Sequence, residues 1–128
     1  MHVNPHQKVK LMRAISRQQS DSRLSRVVIH GGTAYLAGLT ADDRSGSMKA
    51  QTEAVLKKID ALLKAAGTDK SRLLAATIYV SDMAMKPQMD EAWIAWIDPA
   101  NTPARACVQA LLGSPDTRVE IVCTAAID

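Results

Sequence analysis

Two runs of residues with strand character, Ala104 to Leu111 and Arg118 to Ala126, constrain this chain more than any other feature. Between them lies Gly113-Ser114-Pro115-Asp116, a cluster of turn formers, so the pattern predicts a β-hairpin. Alternation sends Ala104, Ala106, Val108 and Ala110 to one face of the first run, a face suited to helices packed on a sheet. Arg105, Cys107, Gln109 and Leu111 take the other face. A guanidinium and a thiol on a strand that otherwise reads as buried are costly unless a partner or a ligand answers them. Glu120 repeats the anomaly in the second run, on one side with Val122, Thr124 and Ala126. A structural ion pair between Arg105 and Glu120, or a place for both at strand ends in water, is the plain explanation, and a binding site is the other. In simple hairpin register Cys107 faces about Val122, which puts Cys123 on the opposite side and argues against a disulfide.

The rest of the chain reads as alternating layers. Residues 1–9 carry no periodic signal and are expected to be mobile. Pro5 between His2 and His6 weakens a helix there, and no third ligand is at hand, so no metal site is expected. Lys10 to Gln18 alternates weakly, as an edge strand guarded by cations would. Arg26–His30 and Thr33–Leu39 read as strands joined by Gly31-Gly32, a pair that closes hairpins. Met48, Val55, Ile59, Leu62, Leu63 and Ala66 recur at helical spacing, and Gly67 stops that helix. Arg72–Val80 is apolar enough to be a strand buried on both faces, and Lys86–Ile97 is a shorter helix striped by Met89, Trp93 and Trp96. The order β-β-β-α-β-α-β-β predicts one α+β domain over residues 1–128, with a single mixed sheet and both helices on one face. The opposite face, with Cys107, Gln109, Leu111, Val122 and Thr124, is too apolar for open water and implies self-association.

Composition narrows the class. At 128 residues, 47% hydrophobic and 23% charged, the chain is globular. Its two cysteines are too few for a disulfide scaffold, and no leader-like or membrane-spanning run is seen, so a cytoplasmic setting is expected. Residues 1–26 hold Lys8, Lys10, Arg13, Arg17, Arg23 and Arg26 against Asp21 alone. Nucleic-acid readers interleave such cations with aromatics, and Tyr35, Tyr79, Trp93 and Trp96 do not do so, which weighs against that partner.

The string Thr102-Pro103-Ala104-Arg105-Ala106-Cys107-Val108, followed by Val119-Glu120-Ile121, resembles the signature of the Rid family, the reactive intermediate deaminases, also called the YjgF family. Gly31 to Gly38, Gln51-Thr52, Ala65-Ala66-Gly67 and Ala76 to Met83 follow in the family's order, so the resemblance runs from about Leu24 to the end. It implies a chorismate-mutase-like fold, a homotrimer around a central β-barrel, and clefts between subunits where 2-imino acids of the 2-aminoacrylate type are hydrolysed to 2-oxo acids and ammonia. No cofactor or metal is implied. By the resemblance Arg105 grips the substrate carboxylate, the backbone at Cys107 helps fix it, and Glu120 positions the attacking water. Gly31, Leu24 and Asp90 fall at the remaining substrate-binding positions. Leu24 stands where the family's well-known deaminases have tyrosine, Leu39 where they have glutamine, and Asp90 near an asparagine, which marks a divergent branch. A three-carbon acid does not bridge the roughly 13 Å that hairpin register puts between Arg105 and Glu120 at about 3.3 Å per residue, which favours a second subunit completing the pocket. A trimeric binder of 2-oxo acids without turnover is the alternative.

Overall fold

The computed structural model describes residues 4–127. Its elements run α1 (Pro5–Arg13), β1 (Ser16–Ser20), β2 (Ser25–His30), β3 (Thr33–Leu36), α2 (Met48–Ala65), β4 (Leu73–Val80), α3 (Lys86–Trp96), β5 (Ala104–Gln109) and β6 (Val119–Ala126). The strands form one six-stranded sheet in the order β1-β2-β3-β6-β4-β5. All neighbours are antiparallel except β4 and β5, which run parallel.

Local chemistry accounts for most of these elements. Gly31 and Gly32 hold φ of 59° and 81°, as a tight two-residue hairpin turn demands, and join β2 to β3. Ser47 caps α2 by accepting from the Ala50 N–H, and Gly67 at φ 84° ends it. The apolar stripe of α2, with Val55, Leu56, Ile59 and Leu63 at 0–2% exposure, packs on the sheet against Ile78 and Ile121, both fully buried. Met89, Ala92 and Trp93 seat α3 in the same layer beside α2. Burial of each large aliphatic side chain here contributes roughly 1.5–3 kcal/mol, so this interface is the main source of stability.

Several expectations are corrected. Asn4 and Pro5 start a helix in a segment without periodic signal: Asn4 Oδ1 accepts from the Gln7 N–H, and Gln7 Oε1 accepts from the Asn4 N–H. This reciprocal cap with proline in the first turn favours a helix, so Pro5 acts as an initiator. Residues 1–3, including His2, lie outside the described residues. The edge strand expected over Lys10–Gln18 is displaced to Ser16–Ser20, because the helix occupies Lys10–Arg13.

The predicted hairpin does not form. Strand β6 inserts between β3 and β4, whereas β5 lies at the sheet edge, so β4 separates the two runs. Cys107 therefore faces Ile78, and Glu120 faces Tyr79. The parity of β5 is also the reverse of the expected one. Arg105, Cys107 and Gln109 align with buried Ala76, Ile78 and Val80 on the helix-covered side, and Ala104, Ala106 and Val108 on the open side. Cys107 and Cys123 thus share one side of the sheet, both as free thiols with β4 between them. Finally, β4 is covered on one face only, with Leu74 49% exposed.

Candidate active site

Arg105 sits near the start of an edge strand, and what holds its side chain is helix α3. Its Nη2 lies 2.9 Å from Asp90 Oδ1, and its Cζ stands 5.5 Å from the centre of the Trp93 ring. Asp90 Oδ2 accepts a 2.6 Å hydrogen bond from Lys86 Nζ. Lys86, Asp90 and Trp93 reach the same place because they are four and three residues apart on one helix. Both the Arg105 and Asp90 side chains keep 25% of their exposure, so the cluster is desolvated but reachable. A guanidinium over an indole face combines cation–π attraction with a flat support.

The contact between Arg105 and Asp90 is a close ion pair with poor hydrogen-bond alignment. Asp90 Oδ1 is buried and lacks an aligned donor despite its closeness to Nη2. Asp90 Oδ1 occupies one side of the Arg105 guanidinium, and the other donors of its fork have no acceptor among the described residues. Burial pushes the Asp90 carboxyl up, but Lys86 and Arg105 outweigh it and hold the group below the usual carboxylate range. Burial raises the Cys107 thiol against the pull of Lys86 and Arg105, which keeps it a neutral thiol at pH 7.

The strand edge adds a second donor. The Ala110 N–H donates to Val80 O, directed inward to β4. Alternation along a strand then turns the N–H groups of Arg105, Cys107 and Gln109 toward the free edge. Arg105 and the Cys107 N–H thus make one corner that suits a carboxylate.

Glu120 is elsewhere in the same chain. It stands on the open face of β6, paired with Tyr79, where a β-carbon added to Gly38 would come within 2.6 Å of its Oε2. Leu39 exchanges backbone hydrogen bonds with Ile121, and that bridge brings Gly38 beside the carboxylate. The plain explanation of Arg105 and Glu120 as each other's ion pair therefore fails, because the partner of Arg105 is Asp90. Leu24, 40% exposed, lies in the β1–β2 turn, and Gly31 in the β2–β3 turn, both remote from β5 across the sheet. Leu39 is 6% exposed and packs in the core. The structure thus joins Arg105, Cys107 and Asp90 and separates Glu120, Leu24 and Gly31 from them. Sequence reasoning missed Lys86 and the support role of Trp93, although the i, i+4 spacing of Lys86 and Asp90 was a usable signal.

A cleft of about 430 Å³ between α2 and α3 does not include Arg105. It is spanned by the Lys49–Glu91 ion pair and by the bond from the Trp96 indole to Asp60.

A mixed sheet with two helices on one face and a caged arginine on its edge strand defines a YjgF-type α+β domain. The family model described as Endoribonuclease L-PSP matches residues 14–127, and the chain belongs to this YjgF/Rid family. Among its relatives, a RutC family protein of Haemophilus ducreyi is 45% identical over 114 residues, covering 89% of this chain and 97% of that protein. The Reactive Intermediate Deaminase A of Arabidopsis thaliana, a chloroplast protein, is 31% identical over 105 residues, covering 82% of this chain and 56% of that protein. A YjgF-family crystal structure from Neisseria meningitidis superposes with a TM-score of 0.88 at 37% identity, covering 91% and 98% of the two chains. No helix among the described residues is long and apolar enough to cross a membrane.

Proposed function

We propose that this protein hydrolyses reactive 2-imino acids to 2-oxo acids and ammonia, at clefts formed between the subunits of a homotrimer. The observation that carries the reading is the Arg105 guanidinium, a quarter of its side chain exposed, with only the poorly aligned Asp90 contact on its donors and next to a free strand edge. Its fork and the Cys107 N–H bind the substrate carboxylate through parallel charge-assisted bonds. Water adds through oxygen to the imine carbon, the carbon–nitrogen bond then breaks, and ammonia leaves with a proton. Glu120 orients that water and relays the proton. No metal or organic cofactor enters this scheme, because the imine is already electrophilic and needs only to be held and hydrated.

Glu120 and Arg105 lie on opposite faces of one sheet, so the reading requires a second copy to bring a Glu120 to each Arg105. Support for self-association comes from the open face, where Val28 pairs with Tyr35 and Tyr79 with Val108, Val122 lies on β6 between those two pairs, and Tyr35 and Val108 are 48% and 41% exposed. The relationship to a named reactive intermediate deaminase adds to it. The test generates 2-aminoacrylate, and longer imino acids, in situ from amino-acid precursors and follows loss of the imine. Acceleration over buffer that vanishes in Arg105→Ala is expected; no acceleration with any precursor ends the enzymatic claim.

A second reading, a binder of 2-oxo acids without turnover, is favoured by Leu24 and Leu39, which offer no hydroxyl or amide where the family resemblance implies tyrosine and glutamine. Calorimetric binding of pyruvate or 2-oxobutyrate by a protein inert toward imines would select it.

A further inference from the structure

The carboxylate of Asp90 has no evident use in gripping an acid. It stands 2.9 Å from the very guanidinium that would bind the ligand, and its charge opposes any anion placed there. Two explanations compete. If Asp90 serves to orient Arg105, the contact should be directed, as fork-on-carboxylate pairs are. The contact is close but poorly aligned, and the guanidinium is also supported by the Trp93 ring and by its own strand. The remaining effect of Asp90 is its charge, and Lys86 at 2.6 Å offsets part of it.

We propose that Asp90 is a charge-selecting residue of the acid site: with Lys86 and Arg105 it leaves one net positive charge on this chain, which a single carboxylate takes up, and the Glu120 that a second copy brings to the cleft adds to the refusal of a second carboxylate. The substrate class narrows accordingly to imino acids with an uncharged side chain, the products of which are 2-oxo monoacids. Dicarboxylate imines, of the kind derived from acidic amino acids, meet the Asp90 oxygens with only one free cation to share. This inference rests on the acid-binding reading of Arg105 and refines it. Lys86 acts in the opposite sense, by damping the repulsion that Asp90 exerts.

The experiment titrates the stable 2-oxo products, 2-oxobutyrate and 2-oxoglutarate, into the full chain and follows Trp93 fluorescence together with calorimetry. The indole under Arg105 reports occupancy without turnover. The unaltered protein is expected to bind 2-oxobutyrate and to bind 2-oxoglutarate at least tenfold more weakly. Asp90→Asn keeps the shape and removes the charge; it should tighten 2-oxobutyrate roughly tenfold, the usual scale for a neighbouring like charge, and tighten 2-oxoglutarate further. Lys86→Gln should weaken both, and this opposite response separates a charge effect from damage to the fold, which would move both variants the same way. Equal or weaker binding in Asp90→Asn, or equal affinity of the unaltered protein for the two acids, overturns the inference while leaving the acid site intact. If neither acid binds either protein and Arg105→Ala changes nothing, the acid-site reading itself has failed, and the inference falls with it.

Discussion

Gln51 is the side chain whose removal tests the architecture most sharply. It is 1% exposed, and its amide nitrogen donates to the backbone carbonyls of Arg44, Gly46 and Asp116 at 3.0–3.2 Å. Its Oε1 accepts from the Arg118 N–H at 3.0 Å, so one residue of α2 ties the loop before that helix to the entry of β6. Gln51→Met preserves length and removes all four bonds. Not all four partners then suffer. The carbonyls of exposed Arg44 and Asp116 can turn to water, and Gly46 O keeps a second donor, Arg118 Nε at 3.2 Å. The Arg118 N–H loses its acceptor in partly buried surroundings, which costs about 1–3 kcal/mol, and the lost bonds cost up to about 1 kcal/mol each net. Apolar burial of the thioether returns roughly a third of this at about 25 cal/mol per Å². The expected loss is about 2–3 kcal/mol, or a urea midpoint lower by roughly 1–2 M at a slope typical for this size. Urea unfolding followed by tryptophan fluorescence checks it, at one fixed protein concentration because association would add its own stability. A loss under about 0.5 kcal/mol with an unchanged slope would refute the hydrogen-bond bookkeeping.

Gly38→Ala should leave stability nearly unchanged, because the atom in its way is the flexible end of Glu120, but it should displace that carboxylate and lower kcat about 10- to 100-fold with little change in KM. An unchanged kcat in a variant shown to fold would remove Glu120 from the chemistry. For Asp90 the folded-state value is depressed, so its contribution to stability is present above the unfolded carboxylate range near pH 4 and is lost as pH falls through the lower folded value. Thermal melts of the unaltered protein and Asp90→Asn should therefore differ at pH 6 and converge on acidification below about pH 4; a constant gap would mean that the carboxylate's charge is not what stabilises.

Helices α2 and α3 and the Gly31-Gly32 hairpin were legible because their signals are local: a three- to four-residue stripe, a serine cap, a glycine stop and a two-glycine turn. The partner of β5 was not. Gly113-Ser114-Pro115-Asp116 reverses the chain well enough to mimic a hairpin loop, yet the segment after it passes β4 and pairs on its far side. Nothing in a turn encodes which distant strand awaits it. The reversed parity of β5 has a related cause. An edge strand with small residues on one side and mixed residues on the other constrains its own orientation weakly, so Ala104 and Ala106 looked fit for a core that they do not enter. Within the site, Arg105 and Cys107 were legible from their motif, whereas the cage of Lys86, Asp90 and Trp93 depends on how α3 is laid over that edge.

The placement of β6 between β3 and β4 bears on how the chain is made. Synthesis delivers Val119–Ala126 after every other strand, yet these residues occupy an interior row with a neighbour on either side. A nascent chain on the ribosome accordingly presents two unsatisfied ladders, one on each half of the future sheet, and closes them together in a late, long-range step. Until then the halves are sticky to each other's copies, so crowded expression with slow elongation near residue 119 is the circumstance in which swapped or clumped product should accumulate.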